Sequence, residues 1–346
     1  MTAPTQNRQL SWVFDLNKCI GCQTCSVACK VLWTREEGED HEWWCTVNTQ
    51  PGEGTPRGWE EMGGGVDPAT GKPRSGQQPT REQFGGGWNY NYEEVFYGGT
   101  SGGAHLEPQA PREGRWAMNW DEDQGAGEWP NSYFFYLPRM CNHCTNPVCV
   151  TACQTGALEK REDGLILRDE DVCMGDRFCM EACPYKKVYF NYERHIGQQC
   201  IGCFPRVDAG VAPACVRQCP GRAVFVDYAD NEDGAIYKLV DQWKVAVPLH
   251  PEAGTEPNVF YVPPIGPSRL NDDMSIDEEK PRIPSEYLES LFGDGVHDAL
   301  ATLKSEMETV RSGGQSEILT MLIAYRWHEL LGPFTTDPVD AGLADN

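Results

Sequence analysis

The stretch CNHCTNPVCVTACQTGALEKREDGLILRDEDVCMGDRFCMEACP, residues Cys141 to Pro184, decides how the rest of the chain is read. Cys141, Cys144, Cys149 and Cys153 form one group with spacing C-x2-C-x4-C-x3-C. Cys173, Cys179 and Cys183 form a second, with Asp176 where C-x2-C-x2-C-x3-C would put another cysteine. Thiolates at these offsets suit iron–sulfur cubanes, in which one tight loop supplies three ligands and a partner motif the fourth. Between the groups, Asp163-Gly164 separates two short apolar runs, Ala157 to Lys160 and Leu165 to Arg168, which predicts a β-hairpin.

Two more groups flank this stretch. Cys19, Cys22, Cys25 and Cys29 follow C-x2-C-x2-C-x3-C without deviation, and Gly21 permits the tight turn that aims backbone amides at a cluster. Cys200, Cys203, Cys215 and Cys219 have spacing C-x2-C-x11-C-x3-C, with Pro220 after them. Group, hairpin, group is the repeat of a two-cluster ferredoxin, and the first and fourth groups can form a second such unit. Together 15 of the 16 cysteines, with Asp176, are enough for four cubane sites. Four structural zincs are the competing use of C-x2-C pairs, but zinc does not need a fourth ligand from a distant group. Aspartate is a harder, weaker ligand for cluster iron than thiolate. The Asp176 site is therefore expected to hold a three-iron cluster, a carboxylate-bound fourth iron being the alternative. Cys45 stands apart and reads as a buried free thiol. His143, inside CNHC, reads as a packing or hydrogen-bonding residue, since Cys141 and Cys144 already fill that loop. Arg177, Lys186, Lys187, Arg194, Arg206, Arg217 and Arg222 lie near the groups in sequence. Cations there would favour reduced, more negative clusters, although several could simply face solvent.

The bulk numbers agree. A chain of 346 residues can bury a sizeable core, and 36 Gly with 25 Pro imply much loop. A net charge of −23 argues against nucleic acid. Between Arg139 and Arg222 there are 11 Lys/Arg against 10 Asp/Glu, so the acidity lies elsewhere. A near-neutral cysteine region suits clusters that bring negative charge. The acidic remainder resembles a surface kept soluble in high salt, and it equally fits ordinary solubility. Disulfides are disfavoured by length and by the compact grouping. Residues 1 to 12 show no apolar signal segment, and no run of 18 apolar residues predicts a direct membrane span.

Along the chain, residues 9 to 16, 131 to 140 and 221 to 228 read as strands entering or leaving cysteine groups. Residues 34 to 130 lack periodicity but hold Trp43, Trp44, Trp59, Trp88, Tyr90, Tyr92, Phe96 and Tyr97. They read as an insertion lying on a larger subunit, the alternative being an extension folded on its own core. DPATGKPRSG at 67 to 76 contains GK without the rest of a P-loop. Residues 245 to 284 are Pro-rich and read as an extended arm. Val296, Ala299, Leu300, Leu303, Met307 and Val310 predict an amphipathic helix stopped by Gly313-Gly314, and residues 316 to 331 predict a second. The expected class is α+β: two ferredoxin-like units (1 to 33 with 200 to 245, and 131 to 199), an insertion (34 to 130), and an arm with C-terminal helices (246 to 346). No dinucleotide fingerprint or nucleophile–base pair is visible, so a self-contained enzyme is disfavoured.

The four-group pattern, the DLNKCIGCQTC opening at Asp15 to Cys25 and the PYKK run after Cys183 resemble the iron–sulfur beta subunit of the dimethyl sulfoxide reductase family. The branch is that of nitrate reductase, ethylbenzene and dimethyl sulfide dehydrogenases, and selenate and chlorate reductases. The resemblance implies three [4Fe-4S] clusters: Cys19, Cys22, Cys25 and Cys219; Cys29, Cys200, Cys203 and Cys215; Cys141, Cys144, Cys149 and Cys183. It implies a [3Fe-4S] cluster on Cys153, Cys173 and Cys179, with Asp176 beside it where the nitrate reductase pattern has tryptophan. It implies a non-catalytic electron-transfer subunit between a molybdenum-cofactor alpha subunit and a haem b gamma subunit or membrane cytochrome. The three-iron cluster would lie at the haem end. An iron–sulfur subunit of another molybdenum or tungsten enzyme, without a haem partner, is the alternative. The implied location is periplasmic by co-export with the catalytic subunit, or else the cytoplasmic face of the membrane.

Overall fold

The computed structural model describes residues 8–87 and 125–343. Its core is a four-stranded sheet made of β1 (Leu10–Asp15), β8 (Val224–Tyr228), β9 (Val247–Pro248) and β10 (Val259–Val262), in the order β8-β1-β10-β9. β1 pairs antiparallel with β8, Leu10 opposite Tyr228, and parallel with β10, Trp12 opposite Val259. All six residues of LSWVFD are buried, as expected of a central strand covered on both faces. β1 leads into the first cysteine group and β8 leaves the fourth, so their pairing brings those two groups together.

β2 (Thr46–Gln50) pairs antiparallel with β3 (Phe135–Arg139), which leads into the second group. The hairpin β4 (Leu158–Lys160) and β5 (Ile166–Arg168) follows, and then the hairpin β6 (Val188–Asn191) and β7 (Ile196–Gln199). β11 (Ser268–Leu270) and β12 (Ile276–Pro281) form a last hairpin. Strands and short helices alternate throughout, giving the ferredoxin-type mixture of both.

Three expectations need correction. First, the described part of the insertion follows the alternative reading and packs on this chain's own core. Trp43, Trp44, Trp59 and Phe84 are buried in this chain's own core, and β2 is part of a sheet. Arg139 fixes the segment: its guanidinium stacks 3.4 Å from the Trp59 ring centre and donates to Thr55 O and Tyr185 O. Trp88, Tyr90, Tyr92, Phe96 and Tyr97 fall outside the described residues. Second, the Pro-rich arm is not all surface. VFYV at 259–262 is a strand of the core sheet: it is a proline-free apolar run between Pro257 and Pro263. Third, residues 316 to 331 are not one helix. Glu317–Ile323 is helical, Ala324 turns left-handed at φ 53°, and Trp327–Leu331 is a 3-10 turn. Arg222 holds the break by donating to Ala324 O and Tyr325 O, each at 3.0 Å.

The helix Gly295–Arg311 occurs as predicted, but its buried stripe is shorter: Val296, Ala299 and Leu303 are buried while Val310 is 44% exposed. Leu303→Ala is expected to destabilise the chain by about 2–5 kcal/mol through lost transfer energy and a residual cavity. A thermal melt indistinguishable from the parent would show that this helix contributes nothing to the core.

Candidate iron–sulfur sites

Each cysteine group is a loop running into a short helix. Cys25 and Cys29 sit on Thr24–Trp33, Cys149 on Val148–Ala152, Cys179 on Phe178–Ala182 and Cys215 on Ala214–Arg217. The loops turn through left-handed residues, among them Gln23, His143, Arg177 and Cys203. Such turns gather successive amide N–H groups toward one point. Gly21 (φ 67°) admits no side chain, because a Cβ there would lie 2.5 Å from the Tyr136 ring.

Cys19, Cys22, Cys25 and Cys219 line one cavity. Cys29, Cys200, Cys203 and Cys215 line another, with Trp12, Met140 and Cys45 in its wall. Cys183 is a close neighbour of Cys144 and Cys149, and Cys141 neighbours both of these. Cys173 and Cys153 neighbour Cys179. The sets also adjoin one another: Cys25 and Cys29 share a helix, Cys141 neighbours Cys200, and Cys149 neighbours Cys179. Asp176 is exposed. Cys45 is buried and free of disulfide, yet it is not remote: its thiol meets Cys25 and lines the second cavity.

Burial pushes the thiols of Cys19, Cys144 and Cys200 up to about 12. It pushes Cys29, Cys141, Cys149 and Cys215 well above the ordinary range. Thiols so placed give up their protons to a metal rather than to water. The surroundings fit a sulfur-rich group. Trp33 Nε1 donates to Cys203 Sγ at 3.1 Å. Trp12 Nε1, on a residue in the wall of the second cavity, is a buried donor with no protein acceptor among the described residues. His143 Nδ1 accepts from Ile166 N at 3.0 Å, which puts the ring proton on Nε2, also buried and unpartnered there. Burial, with Lys160 nearby, lowers His143 to about 3, so it is neutral and packs against Trp12 as a hydrogen-bonding residue. Sulfide corners would accept from such donors. Among the described residues no three His, Cys, Asp or Glu side chains gather tightly enough for a single ion. A tetrahedral zinc would need sulfurs within about 3.8 Å of each other, from a Zn–S bond of about 2.3 Å.

Of the seven cations flagged by sequence, three face thiols. Lys187 is buried and donates to Trp43 O, Thr46 Oγ1 and Tyr189 Oη. Burial, then Arg139, lowers it to about 7, against the pull of Cys45, Cys200 and Cys29. Lys186 lies by Cys183, and Arg206 by Cys203 and Cys215. Arg177 instead stacks on Phe190, Arg194 pairs with Glu170, Arg217 pairs with Asp337, and Arg222 binds carbonyls. Sequence reasoning missed Arg168, Trp33 and Lys18, the last beside Cys219. Arg168 ends the hairpin strand five positions before Cys173, and that placement was the available signal.

Buried thiols in amide-lined loops, ringed by donors aimed at sulfur, define an iron–sulfur electron carrier. The family model described as "4Fe-4S dicluster domain" matches residues 132–228. Selenate reductase subunit beta of Thauera selenatis is 53% identical over 92% of this chain and 97% of its own length. Dimethylsulfide dehydrogenase subunit beta of Rhodovulum sulfidophilum is 50% identical over 93% and 98%. Respiratory nitrate reductase subunit beta of Haloferax mediterranei is 50% identical over 91% of each chain. The chain belongs to the iron–sulfur beta subunits of the dimethyl sulfoxide reductase family, and it is an electron-transfer subunit rather than a catalytic one.

Proposed function

We propose that this chain relays electrons through four clusters between a molybdenum-cofactor catalytic subunit and a haem b subunit. The observation that carries this is the unbroken succession of thiol sets, each adjoining the next. The proposed ligands are Cys19, Cys22, Cys25 and Cys219; Cys29, Cys200, Cys203 and Cys215; and Cys141, Cys144, Cys149 and Cys183, each set for a [4Fe-4S] cluster. Cys153, Cys173 and Cys179 take a [3Fe-4S] cluster. The units are residues 1–33 with 200–245, and 131–199. Bound clusters supply one-electron carriage. The chain's residues hold them as thiolates, keep water out by burial and offer N–H donors to the sulfurs.

Both ends of the succession reach the surface. Cys22 is exposed beside Ile20, which is 65% exposed. Met174, with Val172 and Phe178, is exposed around the Cys173–Cys179 loop. We assign the first end to the catalytic subunit and the second to the haem subunit. No helix among the described residues is long and apolar enough to cross a membrane. The reading includes an extracytoplasmic location reached together with the catalytic subunit; fractionation would test it.

Anaerobic purification with metal and acid-labile sulfide analysis tests the whole reading. About 15 irons per chain are expected, with a three-iron EPR signal in oxidised protein and four-iron signals on reduction. Colourless protein containing zinc and no labile sulfide would end it.

A further inference from the structure

We propose that Arg168 sets the reduction potential of the cluster on Cys153, Cys173 and Cys179 by donating its charged guanidinium to two of the three thiolates. The inference rests on the ligand set proposed above. Arg168 Nη1 lies 3.5 Å from Cys173 Sγ, and Nη2 lies 3.4 Å from Cys179 Sγ. Nη2 also donates to Gln199 Oε1 at 3.1 Å. Gln199 is itself buried and donates back to Ile166 O, so the fork is braced from β7. Gly197 makes room for it: a Cβ there would stand 2.9 Å from the guanidinium carbon.

Among the described residues the charge has no other sink, for Arg168 forms no ion pair with a carboxylate there, unlike Arg161, Arg194 and Arg217. The cations beside the other sets direct their hydrogen bonds elsewhere. Lys186 donates to Met180 O and Glu181 O, Lys187 to Trp43 O and Thr46 Oγ1, and Arg206 to Ala212 O. Trp33 and Thr24 reach thiols as neutral donors. A fixed cation hydrogen-bonded to sulfur, away from bulk water, favours the more negative reduced state, and charge-assisted bonds are the strong ones. This cluster therefore accepts an electron more readily than it would without Arg168.

The test is an EPR-monitored redox titration of the anaerobically purified protein with Arg168→Gln, Arg168→Lys and Gln199→Glu. In Arg168→Gln the reduced-to-oxidised ratio of this cluster at fixed potential should fall at least tenfold, equivalent to about 59 mV for one electron. The other three clusters serve as internal references and should not move. Arg168→Lys keeps the charge and should shift less. Gln199→Glu keeps the guanidinium, sets a carboxylate against it and should lower the midpoint. Should Arg168→Gln lose the cluster, Gln199→Glu decides. An unmoved midpoint in either Arg168→Gln or Gln199→Glu, or equal shifts in the Gln and Lys variants, overturns the proposal. A wild-type cluster with four-iron signals would refute the three-iron assignment but leave the Arg168 comparison measurable.

Discussion

Replacing Cys29 with alanine is expected to remove an entire four-iron cluster and to destabilise the fold more than any single core truncation. Cys29 comes from an N-terminal helix, whereas Cys200, Cys203 and Cys215 arrive with the loops before β8. A cluster shared among them ties distant parts of the chain, and its binding energy is folding energy. Iron should drop from about 15 to about 11 per chain, with a stability loss on the order of several kcal/mol in a thermal melt. Cys45 lines the same cavity and could offer a substitute thiol, so Cys29→Ala with Cys45→Ala is the necessary companion. Full iron content in the double variant would mean that the proposed ligand set is wrong.

Asp176→Cys is expected to convert the three-iron cluster to a four-iron one. The loop from Cys173 to Phe178 already turns through Gly175 and Arg177 in the left-handed region, as the cysteine-complete loop does at Gly21 and Gln23. Only the thiol is missing. The variant should gain about one iron per chain, lose the oxidised three-iron EPR signal and acquire a signal on reduction. The wild-type carboxylate is exposed and is a poor ligand for the fourth iron. An oxidised signal that survives in the variant would remove Asp176 from the site.

Most of the site was legible in the cysteine spacing. Offsets of two and three residues are what a tight loop and one helical turn impose, so the sequence carries the loop geometry directly. The hairpin at Asp163-Gly164 was equally plain, and its strands begin one residue later than the pattern suggested. Residues whose role depends on distant partners were hidden. Arg168 binds thiols across a loop, and Trp12 meets the second cavity only because β1 crosses the core. The insertion misled because its tryptophans have no period, yet they pack individually against scattered residues, Trp59 against Arg139 and Trp43 against Lys30. Proline counting hid β10, a four-residue strand followed by PPIGP at 263–267.

The parallel pairing of β1 with β10 bears on biogenesis. On the ribosome, Trp12 is made early, while its neighbour Val259 emerges only after every ligand thiol, Cys219 included, has been synthesised. The nascent polypeptide therefore passes through an interval in which all its sulfurs are available but one flank of the core strand is still bare.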